Sequence, residues 1–200
     1  MMVSEATTPE LSVVVPVKNE AKNLAPLIDE ICTSLKGLKL EFEIIYVDDG
    51  STDETPTLLA DIMVVQPELR AIRHRECRGQ SAAIATGVAA ARANLIATLD
   101  GDGQNDPSDI PSLLARYREA SARNSAALMV TGHRTMRKDV WLRRSSSRIA
   151  NGIRGAMLKD DTPDTGCGLK IFPREAFMAM PQFNHMHRFL PALMLRGGGL

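Results

Sequence analysis

Residues 11–17, Leu-Ser-Val-Val-Val-Pro-Val, form a short and almost unbroken apolar run. A strand that packs only one face alternates apolar and polar residues. A continuous run of this length instead marks a strand buried on both faces, as in a parallel sheet covered by helices on either side. The chain that follows fits that frame. Leu24, Leu27, Ile28, Ile31 and Leu35 recur at helical spacing and stop near Gly37; Phe42 to Val47 reads as a second strand. Asp53 is a candidate N-cap for a second helix, with acidic residues at its start. Leu69 to His74 is a weaker strand, Gly79 to Arg92 a helix, and Asn94 to Leu99 a fourth strand. Parallel neighbours require crossover connections, and helices supply them. The β-α-β-α-β-α-β order therefore predicts one α/β domain with a mostly parallel central sheet and helices on both faces. Pro107 to Arg123 adds a helix and Ala126 to Thr131 a strand; the periodicity then weakens, resuming in a basic helix over Trp141 to Leu158.

Composition narrows the class without naming it. With 44% hydrophobic and 24% charged residues, the chain is neither disordered nor low in complexity, and three cysteines are too few for a disulfide scaffold. Cys32, Cys77 and Cys167 have no metal-ligand or C-x-x-C spacing, so they read as buried thiols in a reducing compartment. Ser81 to Leu99 is too rich in alanine, and carries Arg92 and Asn94, to span a membrane. Residues 1–10 lack the basic and apolar regions of a signal peptide and are expected to form a disordered tail.

The 24 basic and 24 acidic residues cancel, but acids predominate in the first hundred residues and bases in the second. Arg134, Arg137, Lys138, Arg143, Arg144, Arg148 and Arg154 stand against the single Asp139. Such a stretch attracts anions, although a solvated helix face looks the same.

In open α/β sheets ligands bind beyond the carboxyl ends of the strands. Three loops there carry acids: Pro16-Val-Lys-Asn-Glu20, Asp48-Asp-Gly-Ser-Thr-Asp-Glu-Thr55 and Asp100-Gly-Asp-Gly-Gln-Asn-Asp-Pro107. Acids gathered at one edge need a cation or ligand donors to offset their repulsion. Asp100 and Asp102 offer hard oxygen ligands suited to Mg²⁺ or Mn²⁺, ions that keep waters and share substrate phosphates. A calcium loop counted from Asp100 fails, with Asn105 where glycine is required and Pro111 where glutamate is. A dinucleotide fingerprint is missing after the first strand, and the chain has no G-x-x-x-x-G-K-[ST] loop. A sugar nucleotide remains, its base and ribose donors meeting Asp48 and Asp49 and its diphosphate the metal.

These three segments resemble the signatures of family 2 glycosyltransferases of the GT-A fold. The later segments Gly132-His-Arg134, Trp141, Arg143-x-x-x-Ser147 and Asp164-Thr-Gly-Cys-Gly-Leu-Lys170 resemble, in order, those of its dolichol-phosphate mannose synthase and polyprenyl-phosphate glycosyltransferase branch. The resemblance runs from about Leu11 to Gly197. It implies a single GT-A (Rossmann-like) domain over residues 11–200, cut short at its C-terminus. It also implies metal-dependent transfer, with inversion, of a sugar from a GDP- or UDP-linked donor to a polyprenyl phosphate.

By the same resemblance Pro16, Val17, Glu20, Asp48, Asp49, Arg78 and Asp100 would hold the nucleotide sugar. Asp100, Asp102 and Gln104 would hold Mg²⁺ or Mn²⁺; Asp100, Asp102 and Arg134 would be catalytic; Arg143, Ser147 and Asp164 would meet the acceptor phosphate. The expected setting is the cytoplasmic side of a membrane, peripherally attached, with no nucleic acid partner. A phosphate monoester has its second pKa near ~6, so this acceptor needs positioning and charge screening more than a general base. The chain accordingly has no Glu-Asp dipeptide and no Q-x-x-R-W segment.

Two rivals compete with this reading: a catalytically weak or structural homologue, and a sugar-1-phosphate nucleotidyltransferase. The latter is disfavoured because no glycine-rich loop follows the first strand. The helix over Trp141 to Leu158 could lie on an anionic lipid surface or face the core. His74 is expected at the surface. His185 and His187 lack paired-ligand spacing, and contact with sugar or acceptor stays open for them.

Overall fold

In the computed structural model, residues 8–124, 128–132 and 167–200 are described. A six-stranded sheet is built from β1 (Leu11–Val17), β2 (Phe42–Asp48), β3 (Leu69–Arg73), β4 (Leu95–Thr98), β5 (Val130–Thr131) and β6 (Lys170–Pro173), in the spatial order β3-β2-β1-β4-β6-β5. The pairs β1–β2, β2–β3 and β1–β4 are parallel, whereas β6 runs antiparallel to both β4 and β5. The helices are α1 (Ala21–Lys36), α2 (Thr55–Val65), α3 (Gln80–Ala90), α4 (Ile110–Arg123), α5 (Arg174–Met178) and α6 (Leu190–Arg196).

Every residue of β1 is buried, as the unbroken run requires. Its side chains divide between two cores. Leu11, Val13, Val15 and Val17 pack in one cluster with the apolar face of α1 and with Ile110, Leu113 and Leu114 at the start of α4. Val14 packs on the other face with Ala83, Ile84 and Val88 of α3 and with Phe172 and Phe177 from the β6–α5 hairpin. Alternation along a strand thus supplies both layers, and the helices on both faces are as expected. Gly87 sets the depth of α3 on the sheet: a Cβ there would collide with Val14 and come within 3.1 Å of Val47.

Leu69–Arg73 forms an edge strand and is only partly buried, in keeping with its weak pattern. The start of the helix expected at Pro107 is a 3₁₀ turn over Pro107–Asp109, with Asp106 accepting a hydrogen bond from the Ser108 N–H at 2.9 Å. The sequence pattern gave no sign of β6, whose four residues depend on pairing with β4. The expected basic helix over Trp141 to Leu158 and residues 1–7 of the tail lie outside the described residues.

Candidate active site

Crossovers from β1 lead to β2 and β3 on one side and then to β4 on the other. The order reverses between β1 and β4, and at such a switch point the connecting loops part to leave a crevice. A cleft of about 350 Å³ lies there, reached by Pro16, Val17 and Glu20 after β1, Asp49 after β2, and Asp100 and Asp102 after β4. The N-terminal end of α3 closes a further side with Gly79 and Gln80.

The first two loops are stitched together by the small polar residues of their motifs. The Asn19 N–H donates to Ser51 Oγ at 2.9 Å, and Asn19 Oδ1 accepts from the Thr52 N–H at 2.8 Å. Asn19 has φ 57°, a left-handed conformation that asparagine tolerates better than most side chains. The Glu20 N–H donates to Thr55 Oγ1 at 3.0 Å. Asp53 accepts from the Thr55 N–H at 3.0 Å and the Ala21 N–H at 3.3 Å, so one carboxylate serves the starts of α1 and α2 together. The N-cap position of α2 falls on Glu54 and not on the expected Asp53, which instead takes the first N–H of α2 from just outside the helix and joins it to the start of α1.

Adjacent aspartates at the end of β2 differ in environment. Asp48 is 1% exposed, accepts the Ser51 N–H at 2.8 Å, lies 3.2 Å from the Arg73 guanidinium, and is not among the cleft-lining residues. Asp49 lines the cleft, and its oxygens take the Arg78 N–H (2.8 Å), the Gly79 N–H (2.7 Å), the Cys77 thiol (3.2 Å) and His74 Nδ1 (2.8 Å). Burial works to raise the Asp49 pKa, but these donors outweigh it and hold the carboxyl below its ordinary value. His74 is buried at 7% exposure, contrary to the surface position expected of it, because both ring nitrogens have partners: Asp49, and Thr86 Oγ1 at 2.9 Å. Cys77 is exposed at the cleft, a correction to its reading as a buried thiol; Cys32 and Cys167 are buried. The Cys77 sulfur, followed by Asp49, raises the pKa of Lys18 on the cleft wall.

The Asp100–Asp102 loop approaches β1 so closely that a Cβ on Gly101 would overlap Val17 and sit 2.9 Å from the Pro16 carbonyl oxygen. Asp100 accepts from Gln80 Nε2 at 2.8 Å, and its carboxylate lies against Gly168, where a Cβ would occupy the same space. Gly168 is held in turn through its carbonyl, which accepts from Thr98 Oγ1 at 2.7 Å. Asp102 is exposed and accepts the Gln104 N–H at 3.0 Å on Oδ1. Two carboxylates on one short loop, facing an open cleft, suit a hard divalent cation that completes its shell with water and phosphate oxygens. No cluster of three or more His, Cys, Asp or Glu capable of holding a metal occurs among the described residues.

Arg78 is exposed and contributes its backbone N–H to Asp49; neither it nor Gln104 is among the residues lining the cleft. Lys18, Cys77 and Gln80 line it without having been singled out for the nucleotide; the residue Gln80 reaches, Asp100, was the available signal. His187 Nδ1 lies 2.8 Å from Ser81 Oγ, pinning the 3₁₀ turn Met186–Arg188 to α3. Burial, with Arg188, Lys170 and His185 nearby, pushes the His187 pKa down to about 4. Arg134, Arg143, Ser147 and Asp164 lie outside the described residues.

A cleft at the switch point, edged by carboxylates from three strand ends, is the place where open α/β sheets bind their ligands. The chain belongs to glycosyl transferase family 2, whose family model matches residues 12–180. It is 40% identical over 187 residues to the dodecaprenyl-phosphate galacturonate synthase of Rhizobium johnstonii, covering 92% of this chain and 53% of that protein. It is 34% identical over 185 residues to the undecaprenyl-phosphate 4-deoxy-4-formamido-L-arabinose transferase of Proteus mirabilis, covering 92% and 55%. The chain therefore spans about half the length of these relatives. Its fold matches a mannosyltransferase from Pyrobaculum calidifontis in complex with GDP-Man and Mn²⁺ (TM-score 0.56, 22% identity, 88% of this chain and 49% of that one). It also matches the glucosyl-3-phosphoglycerate synthase of Mycobacterium tuberculosis in complex with Mn²⁺, UDP-glucose and phosphoglyceric acid (0.62, 20%, 86% and 59%). The architecture is the GT-A fold.

Proposed function

We propose that this chain forms the donor-binding part of an inverting, divalent-cation-dependent glycosyltransferase that moves a sugar from a GDP- or UDP-linked donor to a polyprenyl phosphate. The observation that carries the reading is the convergence of Glu20, Asp49, Asp100 and Asp102 on one cleft at the switch point of the sheet. The acceptor class rests on the names of the two relatives, which span 92% of the chain.

In this reading Pro16, Val17 and Glu20 form the nucleotide wall, and Asp49 accepts from base or ribose donors. Asp48 acts from behind, holding the Ser51 N–H and so the turn that presents Asp49. Asp100 and Asp102 hold Mg²⁺ or Mn²⁺, with Gln104 as a further oxygen donor. When bound there, the cation supplies Lewis-acid screening of the departing nucleoside diphosphate. Gln80 fixes the Asp100 carboxylate through its 2.8 Å hydrogen bond, and Arg78 stands at the rim as a cation toward the diphosphate. Arg134, Arg143, Ser147 and Asp164 receive the acceptor phosphate, whose ionised oxygen attacks the sugar carbon in line. A lipid-linked acceptor places the reaction at a membrane surface on its cytoplasmic side. No helix among the described residues is long and apolar enough to cross that membrane.

The test is transfer from radiolabelled UDP- and GDP-sugars to undecaprenyl phosphate in detergent, with and without Mn²⁺. Metal-dependent formation of a lipid-linked sugar is expected, reduced at least ~100-fold in Asp102→Asn. Formation of a nucleotide sugar from sugar 1-phosphate and a nucleoside triphosphate would overturn the reading, as would absence of both transfer and nucleotide binding.

A further inference from the structure

His74 is the first residue beyond β3, and its backbone N–H donates to the Asp48 carbonyl at 2.8 Å. The ring is thereby carried to the edge of the sheet behind the cleft, where Nδ1 lies 2.8 Å from Asp49 Oδ1. An ionised carboxylate can only accept, so Nδ1 carries the hydrogen. Nε2 lies 2.9 Å from the Thr86 hydroxyl, so both ring nitrogens have partners and the ring is held in one orientation.

The other three donors to Asp49 come from Cys77, Arg78 and Gly79. All three residues are exposed and belong to one loop at the cleft, whereas the His74 side chain is 7% exposed and the Asp49 side chain 6%. A carboxylate held only by that loop would move with it. His74 instead ties Oδ1 to the sheet through its own backbone and to the middle of α3 through Thr86. His74 therefore holds Oδ1 through contacts that do not pass through that loop.

We propose that His74 is a positioning residue of the donor site, holding the Asp49 carboxylate in the orientation that recognises the N–H and O–H donors of a nucleotide's base and ribose. The inference rests on the donor reading of the cleft. It concerns a residue that touches no substrate and acts through Asp49.

Asparagine and glutamine at position 74 separate the role from simple packing. The Asn amide nitrogen falls near the place of Nδ1 and can still donate to Asp49; the Gln amide reaches the place of Nε2 and serves Thr86 instead. UDP and GDP are titrated calorimetrically, with Mn²⁺, into the wild type and into His74→Asn, His74→Gln and His74→Leu, with melting temperature as a check on folding. His74→Leu and His74→Gln are expected to weaken the bound nucleotide about tenfold, and His74→Asn to recover most of the loss. Equal affinity in all four proteins overturns the positioning role while leaving the donor site standing. Equal weakening of the Asn, Gln and Leu variants also overturns it, since only filling of the site would then matter. A wild type that binds neither nucleotide removes the donor reading, and this inference with it.

Discussion

Asp100 shows how much of a site can rest on a residue with no side chain. Its carboxylate occupies the space that any larger residue at position 168 would claim, and Gln80 fixes its other side at 2.8 Å. In Gly168→Ala the new methyl group meets the end of a side chain rather than backbone. The carboxylate would swing away at little cost to the fold. The expected result is a melting temperature within a few degrees of wild type together with loss of Mn²⁺-dependent nucleotide binding, measured by calorimetry. Retained binding would mean that Asp100 does not hold the cation. Gly101 is a different case: its neighbours are the Val17 side chain and the Pro16 carbonyl, so a larger residue there would move the loop itself away from β1.

At the scale of elements, the opposite end of the sheet is tied by a buried carboxylate with no part in the proposed reaction. Glu43 on β2 is fully buried. It accepts from Ser12 Oγ on β1 (2.7 Å), the Arg92 N–H (2.7 Å) and Arg92 Nε (2.9 Å) after α3, and the Arg70 guanidinium on β3 (2.7 Å). Burial acts to raise its pKa, but Ser12, the Arg92 N–H and the two guanidinium groups together hold it below the ordinary glutamate value. A folded-state pKa below the unfolded one means that the stabilisation is complete above the unfolded value of ~4.3. It is lost as pH falls through the lower, folded value. Glu43→Gln keeps an acceptor for Ser12 but drops both ion pairs. Because Arg70 and Arg92 can turn to water, the loss should be about 2 kcal/mol, less than for a fully buried pair. Thermal melts should show the wild type ahead by roughly 4–8 °C at neutral pH. The gap should narrow below about pH 4. A gap that stays constant to pH 3 would contradict this account.

For the whole molecule, the cleft joins loops from β1, β2 and β4 with the start of α3, elements from both sides of the switch point. A ligand that bridges them binds the folded chain and not the unfolded one. Nucleotide with Mn²⁺ at about 100 times its Kd should therefore stabilise the protein by about 2.7 kcal/mol. Differential scanning fluorimetry should show an upward shift with both present, a smaller one with nucleotide alone, and no metal-dependent increment in Asp102→Asn. A shift independent of Mn²⁺ would remove Asp100 and Asp102 as its holders.

The alternation of strand and helix, the burial of β1 on both faces and the acid-bearing loops at one edge of the sheet were all legible in the sequence. They depend on local periodicity and on the rule that parallel strands place their following loops together. Asp49, Asp100 and Asp102 could be placed at the cleft on that ground alone. Asp48 could not be separated from Asp49, since neighbours in a chain share every local signal; both are buried, and the turn at the end of β2 sets only Asp49 against the cleft. His74 and Cys77 exchanged their expected places for the same reason: whether a polar ring is buried depends on partners such as Asp49 and Thr86, which lie 25 and 12 residues away. The short β6 is likewise a product of pairing with β4, and Gly168 meets Asp100 only through that pairing. The sequence by itself determined the layers of the fold and the edge at which the chemistry gathers. Which carboxylates face the cleft, and what holds them there, was decided by tertiary contacts between residues far apart in the chain.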